Sequence, residues 1–174
     1  MTDIDITLAR PEEKPVIANL MQLYTHDFSE HWSGTPEGEL GDDGRFADYP
    51  YLDSYWGEPA RVPLLFRAHG HPVGFALLND HAHSGIAADR NMAEFFIVRK
   101  YRRGGMGTAA AHAVFSRYPG TWEAAIARRN VAALAFWRKA VASHPDVRDI
   151  EESDMSTKEW DGYVIRFRIE AHTP

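Results

Sequence analysis

The chain has no cysteine among its 174 residues. Disulfides, thiolate metal sites and a cysteine nucleophile are excluded, and with them a covalent route through an enzyme thiol. No apolar run approaches the roughly 20 residues needed to span a bilayer. The first ten residues carry polar and acidic side chains early and hold no apolar signal core. The expected compartment is the cytoplasm, with no membrane partner. Basic residues are also in short supply, leaving a net charge of −6, which argues against a nucleic-acid partner. Repeats, linkers and low-complexity segments are missing too, so one domain over residues 1–174 is expected. Hydrophobic residues make up 44% of the chain, enough for one sizeable core.

The shortage of base is uneven. Residues 27–58 hold nine acidic side chains against one arginine, Arg45. Arg99, Lys100, Arg102 and Arg103 then form a compact basic cluster. A polyanion suits the second region, and a cation suits the first.

Hydrophobic periodicity orders the rest. Residues 4–8 alternate as a short strand, and Pro11 with two acids opens a helix to about residue 31. Val16, Leu20, Leu23 and Asp27 follow its period. Residues 33–55 read as a long acidic, aromatic loop with at most one short helix, and loops of that length are usually functional. Residues 62–68 and 73–78 form a hairpin, and residues 80–91 a polar loop. Residues 93–98, 122–127 and 163–169 read as further strands. A helix is expected over residues 105–118, with Met106, Ala109, Ala110, Ala113, Val114 and Arg117 on one stripe. A second follows over residues 130–142, with Asn130 as its N-cap.

The informative segment runs from Glu94 to Thr108, where a strand enters a basic, glycine-rich turn that opens into a helix. Amides at a helix N-terminus lack internal partners, and glycines let a diphosphate approach them. Arg102-x-x-Gly105-x-Gly107 resembles the acetyl-CoA motif of the GNAT N-acetyltransferases. Asn130-x-x-Ala133-x-x-Phe136-Trp137-x-Lys139 is similar to that family's next motif. The P-loop pattern fails because no Gly-Lys-Ser/Thr follows, and the dinucleotide fingerprint fails on its glycine spacing.

The resemblance implies an α/β (α+β) GNAT fold. It would have a mixed, mostly antiparallel sheet of six to seven strands, about four flanking helices, and a splayed strand pair that binds acetyl-CoA. It implies acetyl transfer to a primary amine by direct attack in a ternary complex, with a small cationic molecule as acceptor. A protein or peptide amine, or a non-catalytic acyl-CoA-binding module, are the alternatives. It also leaves a homodimer open. The edge from Phe96 through Ile97 and Val98 to Arg99 would meet the pantetheine arm, the Val98 amide serving as oxyanion donor. Arg102, Arg103, Gly104, Gly105, Met106, Gly107 and Thr108 would hold the pyrophosphate. Asn130, Ala133, Phe136, Trp137 and Lys139 would border the cofactor, Asn130 also capping its helix.

An alkylamine of pKa about 10.4 must lose a proton before attack, at a cost of roughly 4–5 kcal/mol at pH 7. Glu94 shares strand parity with Phe96 and Val98 and is the candidate base, acting through water. It reads equally as a carboxylate buried beside arginine. Asp27, His31, Trp32, Tyr49, Tyr51, Tyr55 and Trp56 would form the acceptor wall by charge and cation–π contact, unless that loop is a solvated surface over core aromatics. His31 is an alternative base. Two histidine pairs, His69/His71 and His81/His83, lack a third ligand, so no metal is expected. Two departures from the family stand out. Trp137 replaces its frequent tyrosine acid, and Ala140-Val141-Ala142-Ser143 replaces its usual Gly-Phe.

Overall fold

The computed structural model describes residues 4–171; residues 1–3 of the stretch read above as lacking a signal core lie outside them. Seven strands form one sheet: β1 (Asp5–Leu8), β2 (Val62–Ala68), β3 (His71–Asn79), β4 (Arg90–Ile97), β5 (Gly120–Ala127), β6 (Val147–Ser156) and β7 (Asp161–Ile169). Their order is β1-β2-β3-β4-β5-β7-β6. Every neighbouring pair is antiparallel except β4 and β5. Three α-helices flank it: α1 (Lys14–Phe28), α2 (Met106–Arg117) and α3 (Val131–Ala142). Short 3-10 turns account for the rest of the expected helical content.

The sheet is covered on both faces, which is why β2 and β3 read as near-continuous apolar runs. Leu65, Phe75, Leu77 and Phe96 pack under Ile17, Leu20 and Met21 of α1. Leu64, Phe66, Ala76 and Leu78 point the other way, toward Val114 and Phe115 of α2 and Leu134 and Trp137 of α3. Alternation along each strand sends successive side chains to opposite cores.

Three expectations need correction. On α1 the buried residues are Ile17, Leu20 and Met21, while Leu23 is 51% exposed. On α2 they are Met106, Ala110, Ala111, Val114 and Phe115. The stripe is rotated by about one residue because the bulky Phe115, not Ala109 or Ala113, seeks the core. Strand β6 has no counterpart among the expected strands. It is an edge strand, almost wholly exposed from Arg148 to Asp154. Charges occupy both of its faces, so it shows no period-2 signal.

Candidate active site

Only two residue pairs join β4 to β5, Arg90 with Trp122 and Asn91 with Glu123. Beyond them the strands part. The cause lies on β4, where Leu78 pairs with Met92 and Leu77 with Glu94, leaving Ala93 bulged. A bulge bends its strand and ends local pairing. The resulting gap opens into a cavity of about 730 Å³. Ala93, Glu94 and Phe95 form one wall, Ala125, Ile126 and Ala127 another, and Asn130, Ala133 and Trp137 of α3 a third.

The polarity of the β4 edge differs from the expectation. The Val98 amide donates to the Val73 carbonyl at 2.9 Å, so it is engaged with β3 and unavailable as an oxyanion donor. An antiparallel ladder alternates its direction residue by residue. The amides of Phe95 and Ile97 therefore face the gap instead. Consistently, the Ile97 carbonyl turns away from β3 and accepts from Arg102 Nε at 2.6 Å.

The glycine-rich turn is built for close approach. Arg103 and Gly105 both have left-handed φ, 66° and 84°, a conformation that glycine adopts at little cost. Among the described residues no side chain caps α2, which leaves amides of its first turn open. A Cβ on Gly107 would lie 3.2 Å from Phe136 Cε2. Gly107 thus lets α2 pack closely against α3. Arg102 and Arg99 are both bound to Asp27, at 2.5 and 2.9 Å, and Arg102 also lies over the Phe96 ring. Asp27 consequently anchors the basic turn to α1 and does not face the cavity. Among the described residues, Arg103 and Lys100 have no carboxylate partner. Asn130 Oδ1 accepts from the Ala133 amide at 3.1 Å, capping α3 at the edge of the cavity. Lys139 is exposed and lies outside its lining.

Among the described residues, Glu94 is the only carboxylate in the cavity lining. Burial pushes its carboxyl up to about 7, against the opposing effect of the Tyr24 and Tyr49 phenols that face it. Burial and the Glu94 charge push both phenols above the ordinary tyrosine range, so they stay protonated as donors. Trp32 and Tyr51 line the cavity. Tyr55 is buried beneath Arg61, and His31 packs edge-on against Phe28 outside the lining. None of the nine acids of residues 27–58 reaches the lining. Asp53, Asp48 and Glu58 are paired with Lys14, Arg45 and Arg61.

Sequence reasoning missed several lining groups. Tyr24 belongs to the buried face of α1, three residues past Met21, and the corrected helix period would have found it. Arg61, Asn79, Asn91 and Trp160 come from strand ends and a turn, and they carry no local signal. The two histidines His81 and His83 face one another at 5.0 Å.

The model of the acetyltransferase (GNAT) family matches residues 17–141, which contain the gap, the basic turn, α2 and most of α3. The chain belongs to the GNAT acetyltransferase family. A search of curated protein sequences finds no match. Among solved structures, the fold is similar to an acetyltransferase from Thermus thermophilus, with TM-score 0.66, 15% identity, and 96% and 97% of the two chains covered. It is also similar to the aminoglycoside acetyltransferase AAC(6')-Ib in complex with coenzyme A and kanamycin, at TM-score 0.59 and 14% identity over 96% and 95%. A third is the ribosomal-protein-S18-alanine N-acetyltransferase of Escherichia coli, at TM-score 0.55 and 9% identity over 99% and 97%. Among the described residues no helix is long and apolar enough to cross a membrane.

As a GNAT acetyltransferase the chain takes acetyl-CoA as its acetyl donor, and the residues present fit that role. The uncapped α2, the unpaired Arg103 and Lys100, and the open β4 edge offer amides and positive charge along one path. Trp137, where the family often has tyrosine, is 7% exposed and packs on Phe95 and Phe136 at 5.1 and 4.9 Å. Its indole has no proton to give at neutral pH. Trp137→Phe is expected to hold turnover within about tenfold, below the 10²–10⁴ of lost acid–base catalysis. Its cost should appear instead in stability, at about 1–2 kcal/mol for the volume removed. Steady-state kinetics and denaturant titration check both parts.

Proposed function

We propose that this GNAT enzyme acetylates the primary amine of a small molecule held in the cavity, by direct attack in a ternary complex. The observation that carries this reading is Glu94, a carboxylate poised near neutrality at the mouth of the β4–β5 gap. When bound, acetyl-CoA supplies an activated acyl group on a thiol leaving group. The α2 amides with Arg103 and Lys100 would hold its phosphates, and the Phe95 and Ile97 amides its arm. Glu94 takes the proton from the incoming ammonium, and Tyr24 and Tyr49 stabilise the carboxylate that does so. Phe95 has its amide on the gap side and is placed to donate to developing oxyanion charge. A thiol of pKa about 8.5 leaves readily as its anion, so Trp137 in place of an acid does not stop the reaction.

A small acceptor is favoured by the closed far wall, where the 80–89 loop and Trp160 border the cavity. The acidic loop contributes less than its composition promises, because its carboxylates lie outside the lining. A screen of primary amines and lysine- or N-terminal peptides for coenzyme A release tests the reading. Saturable release with small amines is expected; release confined to peptides would overturn it.

A further inference from the structure

The far wall of the cavity has its own construction. Strand pairing aligns Asn79 with Asn91, Asn91 with Glu123, and Glu123 with Arg166 across the sheet. Glu123 is fully buried. Its Oε1 accepts from the amides of His83 and Ser84, at 2.5 and 3.2 Å. Its Oε2 accepts from Ser84 Oγ at 2.5 Å and Arg166 at 2.9 Å. Arg166 also donates to the carbonyls of Ile86 and Ala87. This clamp fixes the 80–89 loop and leaves no free charge behind.

In front of the clamp three buried polar atoms have no hydrogen bond among the described residues. Asn91 is 1% exposed. Its Nδ2 donates to Asn79 Oδ1 at 3.0 Å, but its Oδ1 is buried and unpaired. Nε1 of Trp160 is likewise buried without a hydrogen bond, as is Nδ1 of His83, which lies 3.8 Å from Glu123 Oε1; the two rings are 4.5 Å apart. All three residues line the cavity. Leaving such a group unsatisfied is destabilising, and native proteins rarely do so without a reason.

The wall is also electrically quiet. Burial holds the His83 imidazole below its ordinary range, so it is neutral at pH 7. Arg61 is the cation of the lining, and its Nε already donates to Glu58 at 2.6 Å.

We propose that Asn91, His83 and Trp160 form the acceptor-recognition subsite, taking an uncharged hydroxyl or primary amide at the far end of a monoamine whose nitrogen faces Glu94. This rests on the acetyl-transfer reading above. A hydroxyl donates to Asn91 Oδ1 and accepts from Trp160 Nε1, with the neutral His83 ring packed beside the indole. A second ammonium meets the indole N–H and Arg61 with no carboxylate to pair it. A carboxylate meets the Asn91 oxygen and a guanidinium already balanced by Glu58. Across the Ala93 bulge, Asn91 and Glu94 lie opposite Asn79 and Leu77, only two residues of strand apart, about 7 Å, a span suited to an extended aliphatic linker.

The test uses one aminopentyl chain with different ends: hexylamine, aminopentanol, cadaverine and aminocaproate. Aminopentanol is expected to show kcat/KM at least about tenfold above the other three, the discrimination of one good hydrogen bond. Trp160→Phe keeps the ring on His83 and removes the N–H. It should raise the aminopentanol KM about tenfold toward that of hexylamine, move the hexylamine KM several-fold less, and leave acetyl-CoA affinity unchanged. Cadaverine or aminocaproate as the best acceptor, or equal effects of Trp160→Phe on aminopentanol and hexylamine, would overturn the subsite. Calorimetric binding of the same amines to the dead-end coenzyme A complex must give the same order. If binding follows that order and no transfer occurs, the acetyl-transfer reading fails while the subsite stands.

Discussion

Glu94→Gln is expected to lower kcat about 10²–10³-fold at pH 7, within the range of lost general-base catalysis. The wild-type carboxyl lies at about 7, so wild-type turnover should rise with pH through neutrality as Glu94 ionises. The variant should instead follow the amine's own ionisation, and the gap should narrow toward pH 10. Acetyl-CoA affinity should not change, because Glu94 faces the acceptor side. An equal loss at every pH would assign Glu94 a packing role. Stability gives an independent reading with a definite sign. Between the ordinary value of 4.5 and about 7, the folded state holds a proton that the unfolded state has released. Folding therefore weakens as pH rises through that window. Glu94→Gln removes the penalty. It should be more stable than wild type at pH 8, by at most about 3 kcal/mol and less where solvent in the cavity screens the charge. At pH 4 it should show no gain. Denaturant titrations at the two pH values check this.

Gly104→Asp should separate donor binding from folding. Gly104 is exposed, has no left-handed φ, and a Cβ there meets nothing within 4 Å. The side chain is therefore tolerated, unlike one at Gly107, where Phe136 stands at 3.2 Å. The new carboxylate sits beside the uncapped α2 amides and Arg103, where a phosphate group is to be held. Its repulsion should weaken acetyl-CoA about 10–100-fold, and less at high salt as screening grows. Gly104→Ala should bind as wild type does. Isothermal titration with both variants checks the expectation, and unchanged affinity in folded Gly104→Asp would remove the basic turn from the donor site.

The basic turn and the helices around it were readable because their signals are local. Arg102, Gly105 and Gly107 sit within one turn, and Asn130 caps the next helix as its position suggests. What escaped the sequence was directional or distant. Parity along β4 places Glu94 and Phe96 on one face, but it does not say which neighbouring strand takes the Val98 amide. Only the pairing with Val73 decides that. Asp27 looked like an acceptor charge because its partners, Arg99 and Arg102, lie more than seventy positions away. The cavity's far wall draws on β3, β4 and the turn before β7, and no window of sequence contains it.

The pair formed by Glu123 and Arg166 has a consequence for how such an enzyme can change. It gives the 80–89 loop a fixed mounting on β5 and β7, through contacts made largely by the loop's own main chain. Main-chain attachments survive when side chains are exchanged. The rings at positions 81 and 83 can therefore be replaced, and the acceptor range retuned, without disturbing the mounting or the distant basic turn. In the subsite proposed above, acceptor choice then rests partly on side chains that do not carry the loop, so it can be retuned there while Glu94 and the basic turn stay as they are.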